Sequence, residues 1–242
     1  MNLPILMYHS VKPQASAHND LTVSTAAFQA QMHYLRKRGF QTVTLAHVAK
    51  AVRGEARLPR RSVVITFDDA YAALLDYAKP VLDLSGFIAT VFVVGQAIGK
   101  HNFWDDGKGL TREQCMSRAD LAELQGAGWE IGSHGLTHCG LPGLAAAELQ
   151  REVAESKSLL ETELETSVEV FSYPFGAWDA GAREAVRQAG YVAACAISPG
   201  TPSVTADPWA LRRAYVKPSD SFGDFARKIS GWYLAFRAWK RR

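Results

Sequence analysis

The stretch Ser62-Val63-Val64-Ile65-Thr66-Phe67-Asp68-Asp69 joins an apolar, largely β-branched run to two adjacent carboxylates. Such a run is typical of a buried strand in a parallel sheet, and ligands of α/β proteins bind at the carboxyl ends of these strands. We therefore expect Asp68 and Asp69 to face a functional cleft. The alternative is that the pair caps a helix or lies in a solvated turn.

Two histidines follow a second apolar segment, residues 129–132. His134 and His138 are four residues apart, and a single helical turn would place both imidazoles on one face. Two imidazoles and one carboxylate leave a position for water on zinc, which lowers the pKa of that water toward about 7. Because neighbouring side chains of extended backbone point to opposite sides, one aspartate of the pair can bind the metal while the other faces the water. Two surface or core histidines are the alternative interpretation.

Alternating helix and strand patterns surround both motifs, without internal repeats. Helices are predicted over 24–39, 46–52, 71–84, 119–125, 144–164 and 179–189, and strands over 3–7, 41–44, 62–67, 87–94, 129–132, 168–171, 191–196 and 211–216. Pro80 should kink the helix in which it lies. This βα alternation indicates an α/β fold with a parallel barrel or sheet, formed by a single domain over residues 1–242.

The composition fits one enzyme-sized domain. The chain has 242 residues, 48% of them hydrophobic and 21% charged, enough to bury a large core. A net charge of +3 without a long basic block does not indicate a nucleic-acid partner. Three scattered cysteines suit a reducing compartment. The start of the chain lacks the pattern of a secretory signal, and no run reaches the roughly 20 apolar residues of a membrane span, so a cytoplasmic location is expected.

Three motifs resemble those of the polysaccharide deacetylase family, which acts on chitin, peptidoglycan and poly-N-acetylglucosamine. They are Thr66-Phe67-Asp68-Asp69-Ala70-Tyr71, Ser133-His134-x-x-x-His138 and Tyr173-Pro174-Phe175-Gly176, within a resemblance that covers roughly positions 3 to 216. The resemblance implies a distorted (β/α) barrel with fewer than eight full repeats. It also implies removal of acetyl groups from N-acetylated, sometimes O-acetylated, sugars with a divalent metal. That metal is most commonly zinc, with cobalt, nickel or manganese as substitutes.

The resemblance further assigns roles to single positions. Asp68 matches the general base, and Asp69 matches the metal-binding carboxylate. His134 and His138 match the two imidazole ligands of the metal. Phe175 matches the residue whose backbone N–H helps to hold the oxyanion.

The segment Tyr8-His9-Ser10 resembles the N-terminal motif of the poly-N-acetylglucosamine deacetylase branch. In that branch the histidine is the general acid that protonates the leaving amine, which implies this role for His9. A surface histidine is the alternative. The usual C-terminal Leu-x-His motif of the family is absent, and its position is occupied by Ile197-Ser198-Pro199-Gly200, which strengthens the assignment of His9.

Two further departures affect the base and its turn. Ala70 stands where the family usually has glycine, and the alanine should require a slightly different backbone conformation. Ser172 stands where the family often has the arginine that holds the base, so Asp68 needs another partner. Arg212 and Arg213, in the predicted strand 211–216, are the candidates, and a solvated or phosphate-facing role is the alternative for either.

Several residues near the motifs are predicted to bind substrate. Trp104 and Asp105 follow the strand 87–94 on the catalytic rim, and an indole there can stack on a pyranose ring. The alternative for Trp104 is a plug that closes the barrel rim. Tyr173 and Pro174, in the third motif, complete the predicted substrate contacts.

The segment 229–242 combines aromatic residues with terminal basic ones. Such a segment suits peripheral contact with the inner face of an anionic membrane, and a final barrel helix is the alternative. The sequence as a whole predicts a metal-dependent hydrolase. It would remove N-acetyl or other acyl groups from an amino sugar in a cell-envelope polysaccharide or its lipid-linked precursor. A catalytically silent carbohydrate-binding protein on the same fold is the rival hypothesis, motivated by Ser172.

Overall fold

The computed structural model describes residues 3–15, 21–197 and 207–230, and strands and helices alternate along these ranges. The strands are β1 (Ile5–Tyr8), β2 (Ser10–Lys12), β3 (Thr22–Ser24), β4 (Gln41–Thr42), β5 (Ser62–Phe67), β6 (Thr90–Val93), β7 (Glu130–Ser133), β8 (Val170–Ser172), β9 (Ala193–Ala196), β10 (Leu211–Arg212) and β11 (Ala214–Tyr215). The helices are α1 (Thr25–Lys37), α2 (Leu45–Val52), α3 (Ala73–Tyr77), α4 (Lys79–Ser85), α5 (Arg118–Gly126), α6 (Ala146–Gln150), α7 (Ser156–Leu164), α8 (Ala180–Gln188) and α9 (Phe222–Lys228).

The main sheet has the strand order β10-β9-β8-β7-β6-β5-β1-β11, with β4 beside β5. Its strands pair in parallel, for example Tyr8 of β1 with Phe67 of β5. All six residues of β5 are buried, as expected for a parallel strand whose two faces are both covered. The carboxyl ends of β1, β5 and β7 therefore lie on one rim.

One short segment nearly closes this sheet into a barrel. In β10, Leu211 pairs with Cys195 of β9, whereas in β11, Ala214 pairs with Leu6 of β1. Residues 211–215 thus join the two edges of the sheet, and the change of partner falls at Arg213. The predicted distorted (β/α) barrel is confirmed, but the predicted strand 211–216 is divided in two at this point.

The helices cover the outer face of the barrel, and local signals set their ends. Ser24 caps α1 by accepting a hydrogen bond from the backbone N–H of Ala27, and Phe28, Met32 and Leu35 of α1 are buried. The predicted helix 71–84 is divided at Ala78 into α3 and α4, and Pro80 lies in the first turn of α4. Within the described ranges, no helix combines the length and apolarity required to span a membrane.

The predicted long helix 144–164 contains an irregular turn. Residues Arg151–Glu155 form a π-helical turn between α6 and α7. Such wide turns are rare and often occur near functional sites. Here the turn directs two consecutive side chains, Glu152 and Val153, into the protein interior.

Candidate active site

The turn after β5 brings both carboxylates of the aspartate pair into the barrel rim. Asp68 and Asp69 are 3% and 4% exposed, and Asp69 has a φ of 70°. The prediction that extended backbone points them to opposite sides is wrong, because the chain leaves the extended conformation at Asp69. Both carboxylates instead face His134, whose Nε2 is 3.7 Å from Asp69 Oδ1 and 4.0 Å from Asp68 Oδ2.

Ala70 continues this left-handed turn with a φ of 49°. An alanine in this region costs roughly 1–2 kcal/mol relative to right-handed backbone, which explains why glycine suits the position. The carbonyl of Ala70 accepts a hydrogen bond from Met116 N–H at 2.8 Å. The surrounding structure therefore holds the turn despite the methyl group.

A loop, not a helical turn, carries the two histidines. His134 follows directly after β7, and the chain then turns through Gly135 at a φ of 81° and His138 at a φ of 65°. The predicted single helical turn is wrong, because left-handed residues interrupt helical backbone. The loop nevertheless brings the two imidazole rings to a centroid separation of 4.9 Å.

Asp69, His134 and His138 form a cluster whose geometry fits a metal ion. Their ligand atoms all lie within 4.8 Å of one another, and Asp69 Oδ1 is 3.3 Å from His138 Nε2. Ligands with bonds of about 2.1 Å to one tetrahedral ion lie about 3.4 Å apart. Asp69 Oδ1 is also buried without a hydrogen-bond partner among the described residues, as suits an atom that binds a cation. The donor set of two imidazoles and one carboxylate supports a divalent metal.

His134 is held in the protonation state that a ligand requires. Its Nδ1 lies 2.7 Å from the carbonyl oxygen of Ser172, so Nδ1–H donates and Nε2 keeps its lone pair toward Asp69. Burial lowers the pKa of His134 to about 4, although the nearby carboxylates oppose the shift. The imidazole is therefore neutral near neutral pH.

Arg213 holds Asp68 through a buried ion pair. Its Nη1 donates to Asp68 Oδ1 and its Nη2 to Oδ2, both at 2.6 Å, and Nη2 also donates to Ser172 Oγ at 2.9 Å. Burial alone would raise the pKa of Asp68, but the charge and hydrogen bonds of Arg213 hold that pKa below its usual range. Of the two predicted arginine partners, the structure places Arg213 at Asp68. Arg213 thus supplies the positive charge that Ser172 cannot provide.

His9 follows β1 and lies beside the same carboxylate. Its Nε2 is 4.0 Å from Asp68 Oδ2, and its ring packs edge-on against Tyr215 with centroids 5.6 Å apart. The His9 side chain is 14% exposed, so it borders the cleft and still meets solvent. His9 and Asp68 are close because β1 and β5 are neighbours in the sheet, and Asp68 Oδ2 is 4.0 Å from the Nε2 atoms of both His9 and His134.

Two aromatic rings enclose His138. The Trp104 ring stacks on it with centroids 4.6 Å apart, and the Phe175 ring meets it edge-on at 4.7 Å. Trp104 is half-buried, whereas Phe175 is 60% exposed and has a φ of 59°. The protein itself thus occupies one face of Trp104, and sugar stacking by this residue stays a prediction. Asp105 lies on the same rim and accepts a hydrogen bond from Asn102 Nδ2 at 2.9 Å.

Tyr173 and Pro174 pack into the protein interior. The Tyr173 side chain is fully buried, and its hydroxyl donates to the carbonyl oxygen of Trp209 at 2.8 Å. Pro174 is buried as well, with its ring close to the backbone of Gly135. Both side chains are buried, and substrate contact by Tyr173 and Pro174 stays a prediction.

Two residues that support the site carry no clear signal in the sequence. Tyr71 is 2% exposed, and burial together with the Asp69 charge raises the pKa of its hydroxyl well above the usual value. Glu152 reaches the histidine loop from the π-helical turn. Tyr71 is the last residue of the first motif, but the motif itself indicates no role for its hydroxyl. Glu152 is distant from both metal motifs in sequence.

Comparisons with known proteins agree with this architecture. A family model described as polysaccharide deacetylase matches residues 55–194. The Bacillus subtilis (strain 168) protein YxkH, whose name assigns it to the polysaccharide deacetylases, is 34% identical over 228 residues, covering 94% of this chain and 76% of YxkH. The poly-beta-1,6-N-acetyl-D-glucosamine N-deacetylase of Escherichia coli (strain K12) is 25% identical over 223 residues, covering 77% of this chain and 32% of that protein. The chain thus spans about a third of the length of the Escherichia coli relative.

Solved structures show the same fold. The Streptococcus pyogenes deacetylase PplD in complex with acetate has a TM-score of 0.82 at 20% identity, covering 95% of this chain and 99% of PplD. IcaB from Ammonifex degensii has a TM-score of 0.79 at 21% identity, covering 96% of this chain and 97% of IcaB. The matched family model and the similarity to YxkH establish that the chain belongs to the polysaccharide deacetylase family of hydrolases.

Proposed function

We propose that this carbohydrate deacetylase uses zinc to remove N-acetyl groups from an amino sugar of a cell-envelope polysaccharide or its lipid-linked precursor. The observation that carries the proposal is the buried cluster of Asp69, His134 and His138, with Asp68 beside it. One of the relatives is named as a deacetylase of poly-beta-1,6-N-acetyl-D-glucosamine, which makes β-1,6-linked N-acetylglucosamine the first substrate to test.

The proposed metal site consists of Asp69, His134 and His138. Zinc bound by these residues would supply an activated water and polarise the acetamide carbonyl. Asp69 contributes the negative charge of the site, since its carboxyl pKa lies below the usual range. Burial alone would raise that pKa, and the neighbouring histidines outweigh burial.

Asp68 is proposed to take the proton from the attacking water. The carboxylate is ionised because Arg213 compensates its charge, and its Oδ2 faces both His134 and His9. Fixing the base on both oxygens leaves little freedom for reorientation, so the proton acceptor is already in place when substrate binds.

His9 and Phe175 are proposed to act on the leaving amine and the oxyanion. His9 Nε2 lies 4.0 Å from Asp68 Oδ2, close enough to the site for an imidazolium to donate to the amine as the C–N bond breaks. Phe175 belongs to the one-turn segment Pro174–Gly176, and backbone N–H groups in a first turn lack an intrahelical acceptor. Its N–H is the proposed oxyanion donor.

Acetate release from β-1,6- and β-1,4-linked N-acetylglucosamine oligomers and from lipid-linked N-acetyl sugars tests this function. We expect turnover by zinc-loaded protein, none after chelation, and none in Asp68→Asn. Asp83→Asn is the matched control, since the Asp83 side chain is 47% exposed and pairs with Lys79 on the surface. Acetate release that persists in Asp68→Asn would exclude Asp68 as the base, and no release by folded, zinc-bound protein on any of these substrates would overturn the proposal.

Location and membrane contact are further proposals that rest on the sequence. The proposed contact segment 229–242 lies outside the described residues except for Ile229 and Ser230. We expect the protein in the cytoplasmic fraction, partly bound to vesicles that contain anionic lipid, with binding lost on truncation at Ser230. Unchanged vesicle sedimentation of the truncated protein would exclude the membrane contact.

A further inference from the structure

The loop that carries the histidines needs support from outside itself. Between His134 and His138 the chain forms neither helix nor strand, and it turns through left-handed backbone at Gly135 and His138. His134 is fixed by the strand before it and by the carbonyl of Ser172. The position of His138, at the far end of the loop, depends on how residues 135–137 are held.

We propose that Glu152 is the positioning residue that holds this loop in its metal-binding shape and thereby sets metal affinity. The inference rests on the metal site of the proposed function. Glu152 Oε2 accepts hydrogen bonds from the backbone N–H groups of Leu136 at 3.1 Å and Thr137 at 3.0 Å. Its Oε1 accepts a third from Thr137 Oγ1 at 2.8 Å. One carboxylate thus binds consecutive residues at the centre of the loop.

The buried charge of Glu152 requires compensation by its neighbours. The residue is 6% exposed, and no ion pair joins it to a lysine, arginine or histidine of the described ranges. The hydrogen bonds from the loop therefore compensate the buried carboxylate, and such bonds are stronger than those between neutral groups. If the loop changed shape, the carboxylate would lose its donors without reaching water, which is unfavourable. The burial of Glu152 and the loop conformation therefore depend on each other.

The other side of the loop is held by backbone hydrogen bonds and by Ser133, whose Oγ accepts a hydrogen bond from Gly135 N–H at 3.2 Å. Gly95 N–H donates to the Gly135 carbonyl at 3.0 Å, and Gln96 N–H donates to the Leu136 carbonyl at 2.9 Å. Glu152 adds a side-chain restraint at the centre of the loop, where it binds the N–H groups of Leu136 and Thr137. The loop is fixed between the turn after β6 and the π-helical turn.

The π-helical turn is an independent observation for the same role. Glu152 and Val153 are both buried there, although Arg151 and Glu155 in the same turn are exposed. A π-helical turn is less favourable than regular helix, and its occurrence near functional sites is common. In this chain it directs Glu152 toward the loop while Val153 remains in the core.

Metal affinity of folded variants tests the proposal. The measurements are the zinc dissociation constant, by competition with a chromophoric chelator, and the absorption spectrum of the cobalt-loaded protein. We expect Glu152→Gln to weaken zinc binding by about 10- to 100-fold, as loss of an outer-sphere support commonly does. Glu155→Gln is the matched control, with the same charge change at an exposed position of the same turn, and should bind zinc like the unmodified protein.

Two further measurements separate positioning from stability. Thr137→Val removes one of the three hydrogen bonds and should weaken zinc binding less than Glu152→Gln, which keeps the test available if the glutamine variant does not fold. The thermal midpoint of each metal-free protein reports general stability. A Glu152→Gln protein that unfolds more easily but binds zinc as tightly as Glu155→Gln would overturn the proposal.

The outcomes also distinguish this inference from the proposed function. Zinc binding and turnover in the unmodified protein, with unchanged affinity in both Glu152→Gln and Thr137→Val, would refute the positioning role and leave the deacetylase mechanism intact. An unmodified protein that binds neither zinc nor cobalt would refute both proposals. Weaker zinc binding and an altered cobalt spectrum in Glu152→Gln, with neither change in Glu155→Gln, would support the positioning role.

Discussion

Replacing Arg213 with methionine removes the charge that keeps the proposed base, Asp68, ionised. The Arg213 side chain is 0% exposed, and its two terminal nitrogens each lie 2.6 Å from an Asp68 oxygen. Burial alone would raise the pKa of Asp68, and the charge of Arg213 is the largest influence that lowers it. Methionine provides an unbranched apolar chain without charge, so much of the packing is retained.

The size of the effect follows from the bidentate geometry. Two unit charges about 4 Å apart interact by about 4 kcal/mol at an effective dielectric constant of about 20. Loss of this interaction should therefore raise the pKa of Asp68, because burial then acts on the carboxylate without the compensating charge of Arg213. Asp68 accepts a proton only when it is ionised. The acid limb of kcat/KM should therefore move to higher pH, and activity should recover when the pH is raised.

The assay is the pH dependence of kcat/KM for acetate release, measured on Arg213→Met and the unmodified protein. Arg118→Met is the control, because Arg118 pairs with Glu165 at an exposed site and should leave the profile unchanged. Near-ultraviolet circular dichroism must show that each variant is folded, since an unpaired buried charge lowers stability by about 3–5 kcal/mol. An acid limb at the same pH in folded Arg213→Met would refute the reasoning. Arg213→Lys, which keeps a charge without the bidentate contact, should shift the limb less.

Three further predictions concern the acid, the metal and the barrel interior. His9→Gln should lower kcat by about 10²- to 10⁴-fold and leave zinc affinity unchanged, and an unaltered kcat would exclude His9 as the acid. Chelation of the metal should abolish acetate release and lower the thermal midpoint, with both restored by zinc, because the ion binds only the native state; turnover without metal would contradict this. Gly132→Ala places a Cβ 2.6 Å from the Phe92 ring and 2.9 Å from Val170. The free energy of unfolding, measured in urea, should therefore fall by about 1–3 kcal/mol. Gly126→Ala, at an open position, should be neutral or stabilising, and equal stability of the two alanine variants would contradict the packing argument.

Local patterns in the sequence were sufficient for much of the fold. The apolar run 62–67 is a strand because β-branched side chains suit a buried sheet, and its carboxyl end leads into the site. Asp179 begins α8 by accepting a hydrogen bond from Ala182 N–H at 2.8 Å, as its capping position predicts. These features depend on near neighbours in the chain, which a single sequence displays directly.

Other features of the site depend on contacts between distant residues. The spacing of His134 and His138 suggests a helical turn, but hydrogen bonds to Glu152 and to the turn after β6 stabilise a loop instead. Arg212 and Arg213 could not be separated from sequence alone, because the strand that contains them changes its pairing partner between the two edges of the sheet. The third motif gave no sign that the Tyr173 side chain points into the core.

The closing segment of the barrel also ties activity to the completion of folding. Asp68 and its counter-ion Arg213 are 145 positions apart, and Arg213 reaches the cleft only when residues 211–215 have joined both edges of the sheet. A partly folded chain in which this segment is detached would retain its metal ligands but lack a charged partner for the base. During synthesis, therefore, the nascent protein should gain hydrolytic activity only after its last strands have emerged and docked. Partial unfolding that detaches residues 211–215 should abolish turnover before the proposed metal ligands separate.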